Sequence, residues 1–234
     1  MNRDLFISEV SKLGINVTDE IMCKLDKFYE LLVFWNEKIN LTTIIDKESV
    51  YLKHFYDSLT LYKEIDLNQN LFLCDVGSGA GFPGIVLKIF FPKLNITLVD
   101  SLNKRVIYLN EIIKELDLKD IIAIHSRMED FSKMNEEKFD IITARAVSNL
   151  NILCEISIRA LKIGGNLVFM KANCDDELAN VNRIYNKLGI SFINVNNFLL
   201  PVENSNRTLI NLEKVTKTNF KYPRNIDKIK KNPL

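Results

Sequence analysis

After Asn70 the chain begins to alternate between two kinds of stretch. Short apolar runs, LFLCDV (71–76), NITLV (95–99), DIIAI (120–124), FDIIT (139–143) and NLVFM (166–170), are separated by longer stretches with helical spacing near 83–91, 102–116, 149–161 and 174–188. Apolar runs this short, bounded by turn residues, read as strands. A strand followed by a helix and another strand closes only as a parallel pair with the helix covering one face. The fold class is therefore α/β, a doubly wound Rossmann-like sheet. Two later runs, SFINV (191–195) and RTLINLEKV (207–215), have no helix between them and predict an antiparallel pair at one edge.

The first third has a different period. Leu5, Val10 and Leu13, then Ile21, Leu25, Phe28, Leu31, Leu32 and Trp35, recur at three- and four-residue steps, the mark of a buried helical face. Thr18 before Asp19 and Glu20 reads as an N-cap with acids in the first turn. A third amphipathic stretch runs from about Glu48 to Lys63. The chain thus divides into an N-terminal helical extension (1–66), a Rossmann-like core (67–215) and a basic tail (216–234).

The 234 residues are enough for one α/β domain and an extension. No apolar run nears the ~18 residues of a membrane span, and the acidic, amphipathic N-terminus lacks the basic-then-apolar order of a secretory signal. The expectation is a cytoplasmic protein with no membrane contact, and a monomer by default. Four cysteines (Cys23, Cys74, Cys154, Cys174) and two histidines (His54, His125) show no metal-ligand spacing, and the cysteines read as small buried hydrophobes. Net charge is +1, but residues 214–234 carry seven basic side chains against Asp227, leaving −5 for residues 1–213. Such asymmetry suits either a local polyanion contact or a solvated tail.

The stretch Asp75-Val-Gly-Ser-Gly-Ala-Gly-Phe-Pro-Gly84 follows a strand and opens a helix. Its glycines permit a tight turn and close ligand approach, at the carboxyl end of a strand where open α/β sheets bind ligands. A dinucleotide fingerprint starting at Gly77 needs a small residue where Phe82 stands, and a P-loop needs a G-K-[ST] that is absent. The spacing Gly77-x-Gly79-x-Gly81 resembles the first motif of class I S-adenosylmethionine methyltransferases. Asp100, ending the second strand, is then placed to accept from the ribose hydroxyls of a bound nucleoside.

The residues after the fourth strand bear on the acceptor. Thr143-Ala-Arg-Ala-Val147 is not the D/N-P-P-aromatic turn of exocyclic amine methylation, and no Pro-Cys pair supplies a nucleophile for pyrimidine carbon 5. An acceptor that is already nucleophilic, such as nitrogen 7 of guanine, fits, with catalysis by positioning and electrostatics and no dedicated general base. Arg145 is suited either to the guanine edge or to the cofactor carboxylate.

Blocks along almost the whole chain resemble the bacterial 16S rRNA guanine-N(7) methyltransferases, also called glucose-inhibited division protein B. They are Trp35-Asn-x-x-Ile-Asn-Leu-Thr42, His54-Phe-x-Asp-Ser-Leu59, the glycine loop, Val99-Asp-Ser-Leu-Asn-Lys-Arg105, Thr143-Ala-Arg-Ala-Val147 and Lys221-Tyr-Pro-Arg224. The resemblance implies methylation of guanine-527 in the 530 loop, with S-adenosyl-L-methionine as cofactor and 16S rRNA, the 30S subunit or its precursor as partner. It implies cofactor contacts at Gly77, Gly79, Phe82, Asp100, Met128, Glu129 and Arg145, with Arg145 also positioning the reaction. Lys104, Arg105, Lys171, Lys228, Lys230 and Lys231 are implied as RNA contacts. In the tail, Asp227 and Ile229 replace the family's usual glycine and proline. Trp35 lies on an apolar face and reads as core, Asp57 as an acceptor within its own turn, and His54 as either a base contact or a structural hydrogen bond. Two other functions stay open at this level: a small-molecule methyltransferase with the helices as a lid, and a non-catalytic RNA-binding module.

Overall fold

The computed structural model describes residues 1–172, 177 and 182–234. They form a seven-stranded sheet in the order β3-β2-β1-β4-β5-β7-β6. The strands are β1 (Phe72–Val76), β2 (Asn95–Asp100), β3 (Ile121–His125), β4 (Phe139–Arg145), β5 (Leu161–Lys171), β6 (Ile190–Leu199) and β7 (Asn206–Lys214). The first five pair in parallel, and β7 pairs antiparallel with both β5 and β6. The doubly wound sheet with an antiparallel edge is as the sequence predicts.

Alternation along the central strands sends side chains to two cores. Leu73, Ile96, Leu98, Val168 and Met170 face the N-terminal helices. Cys74, Val99, Leu167, Phe169 and Ile210 face the helices of the other side. The N-terminal layer comprises α1 (Arg3–Lys12) and α2 (Asp19–Ile39), capped by Asn2 and Thr18, whose side chains accept from Leu5 and Ile21 N–H. The expected third helix is composite: α3 (Lys47–Val50), a π-helical segment (Tyr51–Tyr56), α4 (Asp57–Leu59) and a 3-10 turn (Thr60–Lys63). α5 (Gly84–Phe90) and α6 (Asn103–Glu115) follow β1 and β2.

α7 (Met128–Met134) lies between β3 and β4, where the sequence reading placed no helix, because seven mostly polar residues carry little periodic signal. α8 (Leu150–Ser157) is shorter than expected and ends in a 3-10 turn, so β5 begins at Leu161, ahead of the apolar run. Of the helix expected over 174–188, α9 (Asn182–Leu188) and Glu177 are described and the rest lies outside the described residues.

The basic C-terminal segment is docked. Tyr222 and Ile229 are buried in the same core as α8, and α10 (Ile226–Lys231) is held there. Burial of each such side chain is worth roughly 1.5–3 kcal/mol. Arg224 also makes a two-pronged pair with Glu155, whose side chain is fully buried. Removing one partner of such a pair costs about 3–5 kcal/mol, because the other is left charged in the core. Lys214 is likewise buried, bonded to Glu137 and the Leu161 carbonyl, so the segment is a weaker polycation than its composition suggests. Cys74 and Cys154 are buried as expected, Cys23 is exposed, and Cys174 lies outside the described residues.

Candidate functional site

The glycine loop is assembled by β1 and β2. Gly77 N–H and Ser78 N–H donate to the Val99 carbonyl, and Gly77, Gly79 and Gly81 adopt φ of +67°, +56° and +91°, which side chains disfavour. Asp75 pins the next helix by accepting from Gly84 N–H at 3.0 Å. Its Oδ1 is buried without a partner among the described residues, and burial pushes the carboxyl up to about 7. Asp100 ties the loop to α6: Oδ2 accepts from Gly79 N–H and Oδ1 from Leu102 N–H, both at 2.9 Å, with Arg105 3.5 Å away. The second lone pair of each oxygen is what a ribose hydroxyl would use.

Beside this loop lies a cavity of about 220 Å³ lined by Gly77, Ser101, Met128, Glu129, Val147 and Lys230, among others. Glu129 is 6% exposed and its Oε1 has no partner among the described residues. A buried acceptor of this kind calls for a donor beyond the described residues, and the cavity it faces has room for one. At Gly77 an added Cβ would lie 2.8 Å from Val147 Cγ2, so only glycine fits beneath the loop that follows β4. Ile226 and Lys230 of α10 form part of the far wall.

A second cavity, of about 440 Å³, opens on the other side of that loop. Ile44, His54, Asp57, Arg145, Met170 and Arg207 line it. Arg145 is held from four directions. Nη1 donates to the Lys53 carbonyl at 2.8 Å and to Asp57 Oδ2 at 3.3 Å, Nη2 donates to His54 Nδ1 at 3.1 Å, and the guanidinium lies 5.1 Å from the centre of the Phe82 ring. His54 Nδ1 lies 3.1 Å from both Arg145 Nη2 and the Lys53 carbonyl. Arginine only donates and already serves that carbonyl, so the tautomer with Nδ1 accepting satisfies all three groups and puts the ring proton on Nε2, 3.1 Å from Thr42 Oγ1. Burial and the neighbouring Arg145 push His54 down to about 3, so it stays neutral.

The N-terminal helices supply these contacts for local reasons. Asn36 Oδ1 accepts from Leu41 and Thr42 N–H, which ends α2 and presents Thr42 to His54. In the π-helical segment Asp57 N–H bonds the carbonyls of His54 and Leu52, which leaves the Lys53 carbonyl for Arg145. Phe28 packs 5.4 Å from Phe82, and His54 stacks on the same ring at 4.5 Å.

The structure therefore divides the predicted residues. Gly77, Met128 and Glu129 line the first cavity, while Gly79 and Asp100 are bonded to each other beside it and do not line it. Arg145 belongs to the second, and Phe82, 5% exposed, sits beneath it as a platform. Lys104 is exposed at the start of α6 next to Arg105. Lys171 lines the second cavity and is bonded to Ser148 and Glu177. Lys228 and Lys231 are exposed on α10, whereas Lys230 reaches the first cavity. Trp35 packs into the core 5.9 Å from Tyr108. Asp57 accepts from two distant arginines, Arg145 and Arg207, rather than within its own turn. Sequence reasoning missed Arg207 and Val147. The signal for Arg207 was register: Lys171 pairs with Thr208, so Arg207 flanks the end of β5.

Comparison with known proteins places this architecture. Residues 21–209 match the family model described as rRNA small subunit methyltransferase G. A Geobacillus sp. (strain WCH70) protein named ribosomal RNA small subunit methyltransferase G is 42% identical over 237 residues, covering all of both chains. The Bacillus subtilis (strain 168) protein of the same name is 40% identical, covering all of this chain and 99% of its own. Among solved structures, an Aquifex aeolicus SAM-dependent methyltransferase is similar in fold, with 21% identity and TM-score 0.54 over 73% of this chain and 94% of that one. M. jannaschii TYW2, solved in complex with AdoMet, has TM-score 0.52 and 15% identity over 68% of this chain and 77% of its own. With a family model over most of its length and full-length relatives at 40–42% identity, this chain belongs to the rRNA small subunit methyltransferase G family.

Proposed function

We propose that the protein methylates nitrogen 7 of guanine-527 in 16S ribosomal RNA, with S-adenosylmethionine in the cavity beside the glycine loop and the guanine in the Arg145 cavity. One observation carries the choice of atom: among the described residues, the second cavity holds no usable general base. His54 is too weak a base near neutral pH, and its Nδ1 is engaged by Arg145. Both Asp57 oxygens accept from arginines. Lys53, Lys171 and Arg207 are cations. An exocyclic amine would need a proton removed, whereas nitrogen 7 offers a lone pair directly.

The residues of the first cavity fit the cofactor. When bound, S-adenosylmethionine supplies an electrophilic methyl group. Glu129 Oε1 is placed to accept from an exocyclic amine, Asp100 from ribose hydroxyls, and Met128 to give an apolar face. Gly77 and Gly79 leave room along the backbone. Arg145 keeps its Nε–H and one Nη2–H without partners among the described residues. These two donors form one edge of the guanidinium, able to hold a guanine oxygen or a carboxylate in a fixed direction. Lys104 and Arg105 at the rim, and Lys228 and Lys231 on α10, are available to RNA phosphates. A ribosomal substrate puts the protein in the cytoplasm.

The test is transfer of tritiated methyl from labelled cofactor. We expect incorporation into 30S particles from cells lacking this protein and none into a panel of small metabolites. Transfer to a metabolite and not to RNA would refute the reading.

A further inference from the structure

Four cationic side chains line the second cavity: Lys53, Arg145, Lys171 and Arg207. Lys53 is paired with Glu203 at 2.8 Å, and Lys171 with Glu177 at 2.9 Å. The two arginines share a single carboxylate, Asp57. One positive charge is thus unmatched among the described residues, in a cavity whose floor is otherwise apolar. A half-shielded cation of this kind attracts an anion more strongly than one on open surface, because solvent screens it less.

Arg207 is oriented to meet that anion. Its Nε donates to Asp57 Oδ1 at 3.1 Å, and its Nη1 donates to the Asn206 carbonyl at 2.8 Å. With a longer bond from Nη1 to Ser205 Oγ at 3.4 Å, three contacts fix the plane of the guanidinium, and Nη2 has no partner among the described residues. The side chain is 19% exposed, so it is reachable yet held.

We propose that Arg207 grips a backbone phosphate of the acceptor nucleotide, with Asp57 as the post that aims it. The inference rests on the reading of this cavity as the guanine seat. Nitrogen 7 of a paired guanine lies in the deep, narrow groove of A-form RNA, out of reach of side chains. The base must therefore be presented unstacked, and its own phosphates come with it. A neutral guanine over Ile44 and Met170 does not match the surplus charge, whereas the adjoining phosphate does. Arg207 enters from β7, on the β5 side of Arg145, whereas Lys104 and Arg105 lie by the glycine loop. The acceptor nucleotide would then be held from two sides.

Arg207→Gln keeps a donor toward Asp57 but removes the charge, and Arg207→Lys keeps the charge but loses the fork. The experiment measures three quantities on each: the salt dependence of RNA binding, KM and kcat for RNA methylation, and the affinity for S-adenosylhomocysteine. Arg207→Gln should raise KM by about tenfold, the loss of one charge-assisted contact. It should also lower the log–log salt slope by about one, with kcat and S-adenosylhomocysteine affinity nearly unchanged. Arg207→Lys should restore the slope. Equal slopes for parent and both variants, in a preparation where the parent methylates RNA, overturn the phosphate grip and leave the proposed function standing. A weakened S-adenosylhomocysteine affinity with an unchanged slope also overturns it, assigning the anion to the cofactor carboxylate. A parent that transfers no methyl to RNA removes the function, and this proposal with it.

Discussion

The two cavities flanking the loop after β4 are built in different ways. Much of the first comes from short stretches of chain: a glycine loop closing β1, the end of β2, and Met128-Glu129 opening α7. Its central residues lie along two consecutive βαβ units, from Val76 to Glu129, with Val147, Ile226 and Lys230 completing the wall. The second draws Ile44, His54 and Asp57 from the helical extension, Arg145 from β4, Met170 from β5 and Arg207 from β7. Nothing but the tertiary fold brings those together. A local cavity is read by its motif, whereas a dispersed one depends on every element that supports it. The first should therefore fail through single backbone positions and the second through its buried ion pairs.

The largest effect should come from the backbone. Gly77→Asp places a side chain at φ +67° and within 2.8 Å of Val147, so S-adenosylhomocysteine binding should fall by about 100-fold or more. RNA binding should persist, and calorimetry beside filter binding reads both. Unchanged cofactor affinity in the folded variant would remove the glycine loop from the cofactor site.

Next in size is Arg145→Ala, expected to lower turnover by about 10²-fold, a usual loss for one positioned donor. Asp57→Asn should approach the same loss, because it leaves two arginines facing each other without their shared charge. Cofactor affinity measured on both variants sharpens the contrast. Little change keeps Arg145 with the acceptor, and a parallel loss would make it serve both cavities.

A smaller effect appears in the pH dependence of stability. Asp75 has its folded value raised to about 7 by burial, above the ordinary 3.8. The folded state thus binds the extra proton between those values, and this contribution is full below pH ~4 and lost as pH rises through ~7. Asp75→Asn has no such proton. Its thermal midpoint, compared with the parent's, should gain several degrees between pH 5 and 8. A constant difference would show that Asp75 ionises normally.

The smallest effect belongs to α10. Lys228→Ala with Lys231→Ala should lower the salt slope of RNA binding without moving cofactor affinity. Lys230→Ala should shift cofactor affinity a few-fold, because that side chain lines the first cavity. If all three behave alike, the docked helix plays no part in the cofactor wall.

What was legible in the sequence follows the same division. The sheet could be read because its central parallel strands are buried on both faces and appear as unbroken apolar runs, a pattern the edge strand β3 keeps in sequence though Ile122 is exposed. The start of β5 could not, since it passes through Gly164 and Gly165 before the run begins. The glycine loop is local and declared itself. Asp57 looked like a turn acceptor because its partners, Arg145 and Arg207, are 88 and 150 residues away. The tail looked like a free polycation because composition does not show that Lys214 and Arg224 are consumed by Glu137 and Glu155.

The central claim is that the Arg145 cavity presents nitrogen 7 of a guanine to the methyl donor and, among the described residues, holds no base to activate any other atom. A methyl on nitrogen 7 gives the ring a fixed positive charge, which labilises it to borohydride and then to aniline. Treatment of 16S rRNA methylated by this protein, from 30S particles that lacked the modification, should cleave the chain at a single new site, guanine-527. A methylated RNA that resists the same treatment, or is cut elsewhere, would contradict the account.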